Sequence, residues 1–96
     1  MATLVFVDLK PKPSELDSML SYIREIIADT RSFDGCHEML LYLEGEGEGV
    51  MFVERWESQA HYDKYLAWRI ETGVMEKLGA MLDAPPIIRF AEDSGI

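Results

Sequence analysis

Val50-Met51-Phe52-Val53-Glu54-Arg55-Trp56-Glu57-Ser58 reads as a strand that ends on a tryptophan and runs straight into a helix cap. Successive side chains of a strand point to opposite sides. One face therefore carries Val50, Phe52, Glu54 and Trp56, and the other carries Met51, Val53 and Arg55. Both faces hold bulky apolar groups, so both need covering. Upstream, Glu44-Gly45-Glu46-Gly47-Glu48-Gly49 reads as a hairpin loop. Before it, Cys36 to Glu44 alternates His37, Met39, Leu41 and Leu43 with Cys36, Glu38, Leu40 and Tyr42. Two β runs joined by a short glycine loop predict a hairpin.

Downstream, Ser58 is placed to cap a helix on which Tyr62, Tyr65, Leu66 and Arg69 share a face, with His61 at its border. Gly73 bends or interrupts that helix, and Val74, Met75, Leu78 and Leu82 continue the apolar stripe as far as Ala84-Pro85-Pro86. At the N-terminus, Leu4 to Leu9 predicts a strand with Val5, Val7 and Leu9 on one side and Leu4, Phe6 and Asp8 on the other. Lys10-Pro11-Lys12-Pro13 stops it, because proline donates nothing to a ladder. Ser14 then reads as a helix N-cap, with Asp17 closing a shortened capping box. Leu16, Met19, Leu20, Ile23, Ile26, Ile27 and Thr30 form the buried stripe of that helix. Phe33-Asp34-Gly35 is a turn, Ile87 to Phe90 a last strand, and Ala91 to Ile96 a frayed tail.

The order β-α-β-β-α-β predicts an α+β, ferredoxin-like domain over residues 1–96: an antiparallel sheet with both helices on one face. Two helices cover one face only. A second copy packed sheet to sheet is the economical cover for the other, so a homodimer is expected. At 96 residues the chain buries only about 60–65% of its unfolded surface, and a partner subunit is one remedy for so thin a core.

Nine basic residues against eighteen acidic give a net charge of −9, which disfavours nucleic acid and anionic membranes as partners. The single cysteine, Cys36, excludes an intrachain disulfide and a multi-cysteine metal site, and fits a reducing cytoplasm. No apolar run is long enough to span a membrane, and the apolar N-terminus, with no basic leader and an early Asp8, reads as a strand rather than a signal peptide. His37 and His61 are far apart and lack metal-ligand spacing, so no metal is expected; the Glu-Gly loop reads as solvated rather than as a calcium site.

Trp56 has two readings: a core residue with its N–H bonded to a backbone carbonyl, and a pocket wall that stacks on a flat ligand beside Phe52. His61 is the natural base at neutral pH, or else a surface histidine with a local hydrogen bond. Tyr62, Tyr65, Trp68 and Arg69 cluster within two helical turns, either as packing or as groups that hold a phenolate or enolate, with Tyr42 joining from the second strand. Glu54, if it points inward, needs a partner, for which Arg69 is a candidate.

At Val50 to Ser58 the chain resembles the antibiotic biosynthesis monooxygenase family. The proline turn at Lys10 to Pro13, Gly35-Cys36 opening the second strand, Glu54-Arg55-Trp56 before a capped helix, and Pro85-Pro86 before the last strand agree with it. The resemblance implies a dimeric α/β barrel with a pocket between each sheet and its own helices. Some members oxidise phenolic polyketides with O₂ and no cofactor; others degrade haem. Members often carry a histidine near the position of Tyr65, and the haem-degrading ones a site asparagine. This chain contains no asparagine, which disfavours haem degradation.

The expectation is a cofactor-free monooxygenase acting on an aromatic, phenolic small molecule. His61, Tyr65 and Arg69 are its catalytic candidates, and Trp56, Phe52, Tyr62, Trp68 and Tyr42 its substrate-binding ones. The alternatives are a non-catalytic small-molecule binder and an isomerase-type or lactone-processing enzyme on the same barrel.

Overall fold

The computed structural model describes residues 2–96. Its elements run β1 (Thr3–Leu9), α1 (Leu16–Arg31), β2 (Cys36–Glu44), β3 (Gly49–Trp56), α2 (Gln59–Glu71), α3 (Val74–Ala80) and β4 (Ile87–Glu92). The four strands form one sheet in the order β2-β3-β1-β4, with every neighbouring pair antiparallel. This is the expected ferredoxin-like arrangement. Gly73, at φ +82°, divides the second helical segment into α2 and α3.

Register explains which residues are buried. In β1 and β3, Thr3, Val5, Val7 and Leu9 lie opposite Trp56, Glu54, Phe52 and Val50. All eight are buried under the helices. From α1 come Met19, Ile23 and Thr30; from α2 and α3 come Tyr62, Tyr65, Arg69, Val74 and Leu78. Period 2 in the strands and 3.6 in the helices bring these sets together as one core.

The opposite sheet face is apolar and open. Leu4, Phe6, Met51 and Val53 are half-buried, while Leu40, Tyr42 and Ile87 are exposed. Two ion pairs border it: Arg55–Glu38 at 3.2 Å and Arg89–Asp8 at 3.4 Å.

Four local expectations change. Ser14 is not the cap of α1, and Ser14 and Asp17 form no capping box. Glu15 occupies the cap position without a side-chain hydrogen bond, because the chain is held in a turn by Glu15 N–H donating to the Lys12 carbonyl at 2.8 Å. That turn is tied to a distant segment: Lys12 N–H donates to the Met81 carbonyl and Asp83 N–H to the Lys10 carbonyl. The second change is a bulge at the start of β2, where Cys36 pairs with Trp56 and Glu38 with Arg55. The extra residue, His37, falls out of the alternation, so Cys36 shares the helix-facing side with Met39 and Leu41. Third, helical structure ends at Ala80, before the prolines. Finally, Ala91 and Glu92 belong to β4 rather than to a frayed tail, since the Thr3 hydroxyl donates to the Glu92 carboxylate at 2.8 Å.

Candidate active site

β3 turns Glu54 inward between Phe52 and Trp56, where it is only 2% exposed. The indole Nε1–H of Trp56 donates to Glu54 Oε1 at 3.0 Å, and no other hydrogen bond reaches the carboxyl among the described residues. Burial penalises the anion more than this one bond favours it, so the carboxyl pKa is pushed up to about 7.

α2 presents Tyr62, Tyr65 and Arg69 to the same interior. Ser58 starts that helix as expected, its side chain accepting from the His61 backbone N–H at 3.2 Å. Arg69 is 3% exposed and has no carboxylate within ion-pair distance among the described residues. Its Nε donates to the Tyr65 hydroxyl at 3.0 Å. Its Nη2 donates to Thr30 Oγ1 and to the Ile26 carbonyl, both at 2.8 Å. The guanidinium also lies over the Trp68 ring at 4.5 Å, a cation–π contact. Oriented dipoles and a ring therefore hold this cation in place of a counter-ion.

The Tyr65 and Thr30 hydroxyls lie 2.7 Å apart. Both oxygens accept from Arg69 and one hydroxyl proton closes the bond between them, so the other proton remains available for donation. Burial raises the pKa of Tyr65 against the opposing pull of Thr30 and Arg69, and burial raises that of Tyr62 further, helped by Glu54. Both phenols stay protonated near neutral pH.

These groups line a cavity of about 30 Å³ between the sheet and the helices. Glu54, Tyr62, Tyr65, Thr30 and Arg69 are its polar margin; Phe52, Ile26, Leu66, Met75 and their neighbours complete an apolar wall. At roughly 10–15 Å³ of such space per water, it holds about two waters, and an aromatic ring requires the wall to move. The wall includes α3, seven residues joined to α2 through Gly73.

The structure brings together Tyr65, Arg69, Phe52 and Tyr62 from the expected set. The others lie elsewhere. Trp56 is fully buried behind the cavity, 4.9 Å from Tyr65 between ring centroids. Its indole bonds a carboxylate instead of a backbone carbonyl. Trp68 stacks on Phe33 at 5.3 Å. Tyr42 is 50% exposed on the opposite face of the sheet, paired with Met51, so it cannot join the cavity. His61 lines a separate surface depression with Asp34, Ala60 and Lys64. Its Nδ1 lies 2.7 Å from the Ser58 hydroxyl, and its ring packs on Gly35. Among the described residues Arg69 forms no ion pair with Glu54, contrary to expectation. The polar member that sequence reasoning missed is Thr30. Its one signal was a hydroxyl closing the C-terminal end of an otherwise apolar helical stripe.

Among the described residues, no group of three or more His, Cys, Asp or Glu side chains is arranged to hold a metal ion. Among the same residues, no helix is long and apolar enough to cross a membrane.

The family model described as "Antibiotic biosynthesis monooxygenase" matches residues 3–68. No curated protein matches the sequence. Among solved structures, Rv0793 from Mycobacterium tuberculosis superposes with a TM-score of 0.86 at 20% identity, covering 97% of this chain and 95% of that one. A conserved protein from Methanosarcina mazei Go1 gives 0.89 at 20% identity, covering 98% and 94%. The ActVA-Orf6 monooxygenase of Streptomyces coelicolor, solved in complex with the ligand nanaomycin D, gives 0.82 at 18% identity, covering 99% and 89%. At these identities the likeness is one of fold.

Proposed function

The chain belongs to the antibiotic biosynthesis monooxygenase family, and from that premise we propose that it is a cofactor-independent monooxygenase, oxidising an aromatic, phenolic small molecule with O₂ in the cavity between sheet and helices. The observation that carries this reading is Arg69: a buried cation without a carboxylate partner, at the margin of an apolar, aromatic-walled cavity. A phenol or anthrone that has lost a proton can itself pass an electron to O₂. The protein then has to exclude water and stabilise the oxyanion, and fixed donors in a dry site do this far better than water does. Tyr65 and Arg69 are those donors in this reading. Phe52 and Tyr62 are the surfaces against which the ring lies, reached by displacement of α3 about Gly73. His61, expected as a base, is held at the start of α2 by Ser58, the residue that caps that helix, and takes no part in the proposed step.

The same reading includes a homodimer in which a second copy covers the open sheet face. Leu4, Phe6, Leu40, Tyr42, Met51 and Val53 support it, because such a face is costly to leave in water.

Oxygen uptake by metal-free protein across a panel of anthrones and naphthols tests the activity. Uptake above background is expected for at least one compound. Arg69→Met, in protein with wild-type circular dichroism, should lower kcat/KM about 10²–10³-fold, the usual loss for one oxyanion donor. Background rates throughout the panel, together with a ligand that raises Tm without turnover, would leave a non-catalytic binder in place of the oxygenase.

A further inference from the structure

Two groups of opposite charge type, Glu54 and Arg69, line this cavity without forming an ion pair with each other. Arg69 is held by Tyr65, Thr30 and the Ile26 carbonyl. Glu54 is held through Oε1 alone, by the Trp56 indole. Its other oxygen, Oε2, makes no hydrogen bond among the described residues and is not a fully enclosed orphan atom. In a residue 2% exposed that lines the cavity, that oxygen is available to whatever occupies the cavity. A purely structural acceptor for an indole N–H needs no charge; a backbone carbonyl or an amide serves equally well. A carboxyl at this buried place costs stability whenever it ionises.

The remaining titratable neighbours do not compete with Glu54 for a proton. Tyr62 and Tyr65 are kept protonated by burial, and the guanidinium of Arg69 does not deprotonate. The Cys36 thiol on β2 is likewise raised, by burial and then by Glu54 itself. β1, α1 and α3 present no titratable side chain to the cavity. His61 lies outside it.

We propose that Glu54 is the proton acceptor of this site and that its ligand arrives as a neutral, weakly acidic phenol or enol. In the step, the substrate O–H bond breaks and its electron pair stays on the substrate oxygen. The proton forms a new O–H bond at Glu54 Oε2. One negative charge passes from the carboxylate to the substrate oxygen, which Tyr65 and Arg69 then stabilise. This inference rests on the oxygenase reading for its purpose. In that reaction O₂ oxidises the anion; for an anthrone, the CH₂ carbon becomes a carbonyl carrying one oxygen atom, and the second oxygen leaves as water, completed by the proton that Glu54 returns. A carboxyl titrating near neutrality suits both taking that proton and giving it back.

Binding of 1-naphthol under anaerobic conditions at about pH 8 tests the proton transfer separately from any oxygen chemistry. Absorbance reports whether bound naphthol is the anion, and calorimetry in two buffers of different ionisation enthalpy counts protons released. Wild-type protein should bind naphtholate with almost no proton released to the buffer, because Glu54 keeps it. Glu54→Gln should bind either neutral naphthol or the anion with about one proton released per site, while His61→Ala should behave as wild type. Release of a proton by wild-type protein, binding of naphthol without an anion band, or no binding at all overturns the proposal. Should Glu54→Gln fail to fold, the wild-type proton count decides alone. Proton capture without oxygen uptake on any substrate leaves Glu54 as the acceptor and removes the oxygenase reading; uptake with wild-type kinetics in Glu54→Gln does the reverse.

Discussion

Glu54 ties stability to pH in a direction opposite to that of most carboxylates. Its folded pKa is raised from 4.5 to about 7. The unfolded chain therefore gives up this proton first, and the contribution to stability, full below about pH 4.5, is lost as pH rises through 7. A shift of this size corresponds to roughly 3 kcal/mol lost by about pH 8. Glu54→Gln keeps an acceptor for Trp56 without the charge. It should match wild type near pH 4.5 and exceed it above neutrality, seen as diverging urea midpoints across that range; parallel curves would show that Glu54 does not titrate in the fold. Thr30→Val removes a partner of both Tyr65 and Arg69 and should cost about 1–3 kcal/mol in chemical denaturation. At this scale the inward set Val50, Phe52, Glu54 and Trp56 was legible, because strand alternation decides it. Cys36 was misplaced because one bulged residue inverts the alternation, and Tyr42 because both faces of β2 carry apolar groups, so alternation alone does not decide which one meets the helices.

Gly35 and Gly73 set how the helices meet the sheet. Gly35 has φ +89°, and a Cβ there would lie 2.5 Å from the His61 ring. Gly35→Ala thus combines left-handed strain of about 1–2 kcal/mol with a displaced His61, and should lower Tm more than Gly73→Ala. At Gly73 the φ of +82° brings the same strain, but nothing lies within 4 Å of the added Cβ. A thermal melt of the two variants checks the order. The interruption at Gly73 was readable from a glycine within a helical pattern. The start of α1 was not, since its turn depends on hydrogen bonds to Met81 and Asp83, some seventy residues away in sequence. Local capping rules cannot see such a partner.

Across the whole molecule, a sheet with two apolar faces was visible in the alternating patterns of β1, β2 and β3, and it implies the proposed dimer. Sedimentation should find twice the 11.0 kDa chain mass. Val53→Asp, which places a charge in the middle of the open face, should give a monomer, whereas a monomeric wild type would remove the second copy from the account. The site was less legible than the fold. Its members come from α1, β3 and α2, and no local spacing relates Thr30 to Glu54 and Arg69.

The most direct measurement of what this cavity does with oxygen is the stoichiometry of an anthrone reaction followed by an oxygen electrode, with catalase added at the end. One O₂ consumed per anthrone converted, with no oxygen returned by catalase, is the result predicted for a monooxygenase whose second oxygen atom leaves as water. Uptake no faster than the protein-free rate, or return of oxygen from accumulated peroxide, contradicts it.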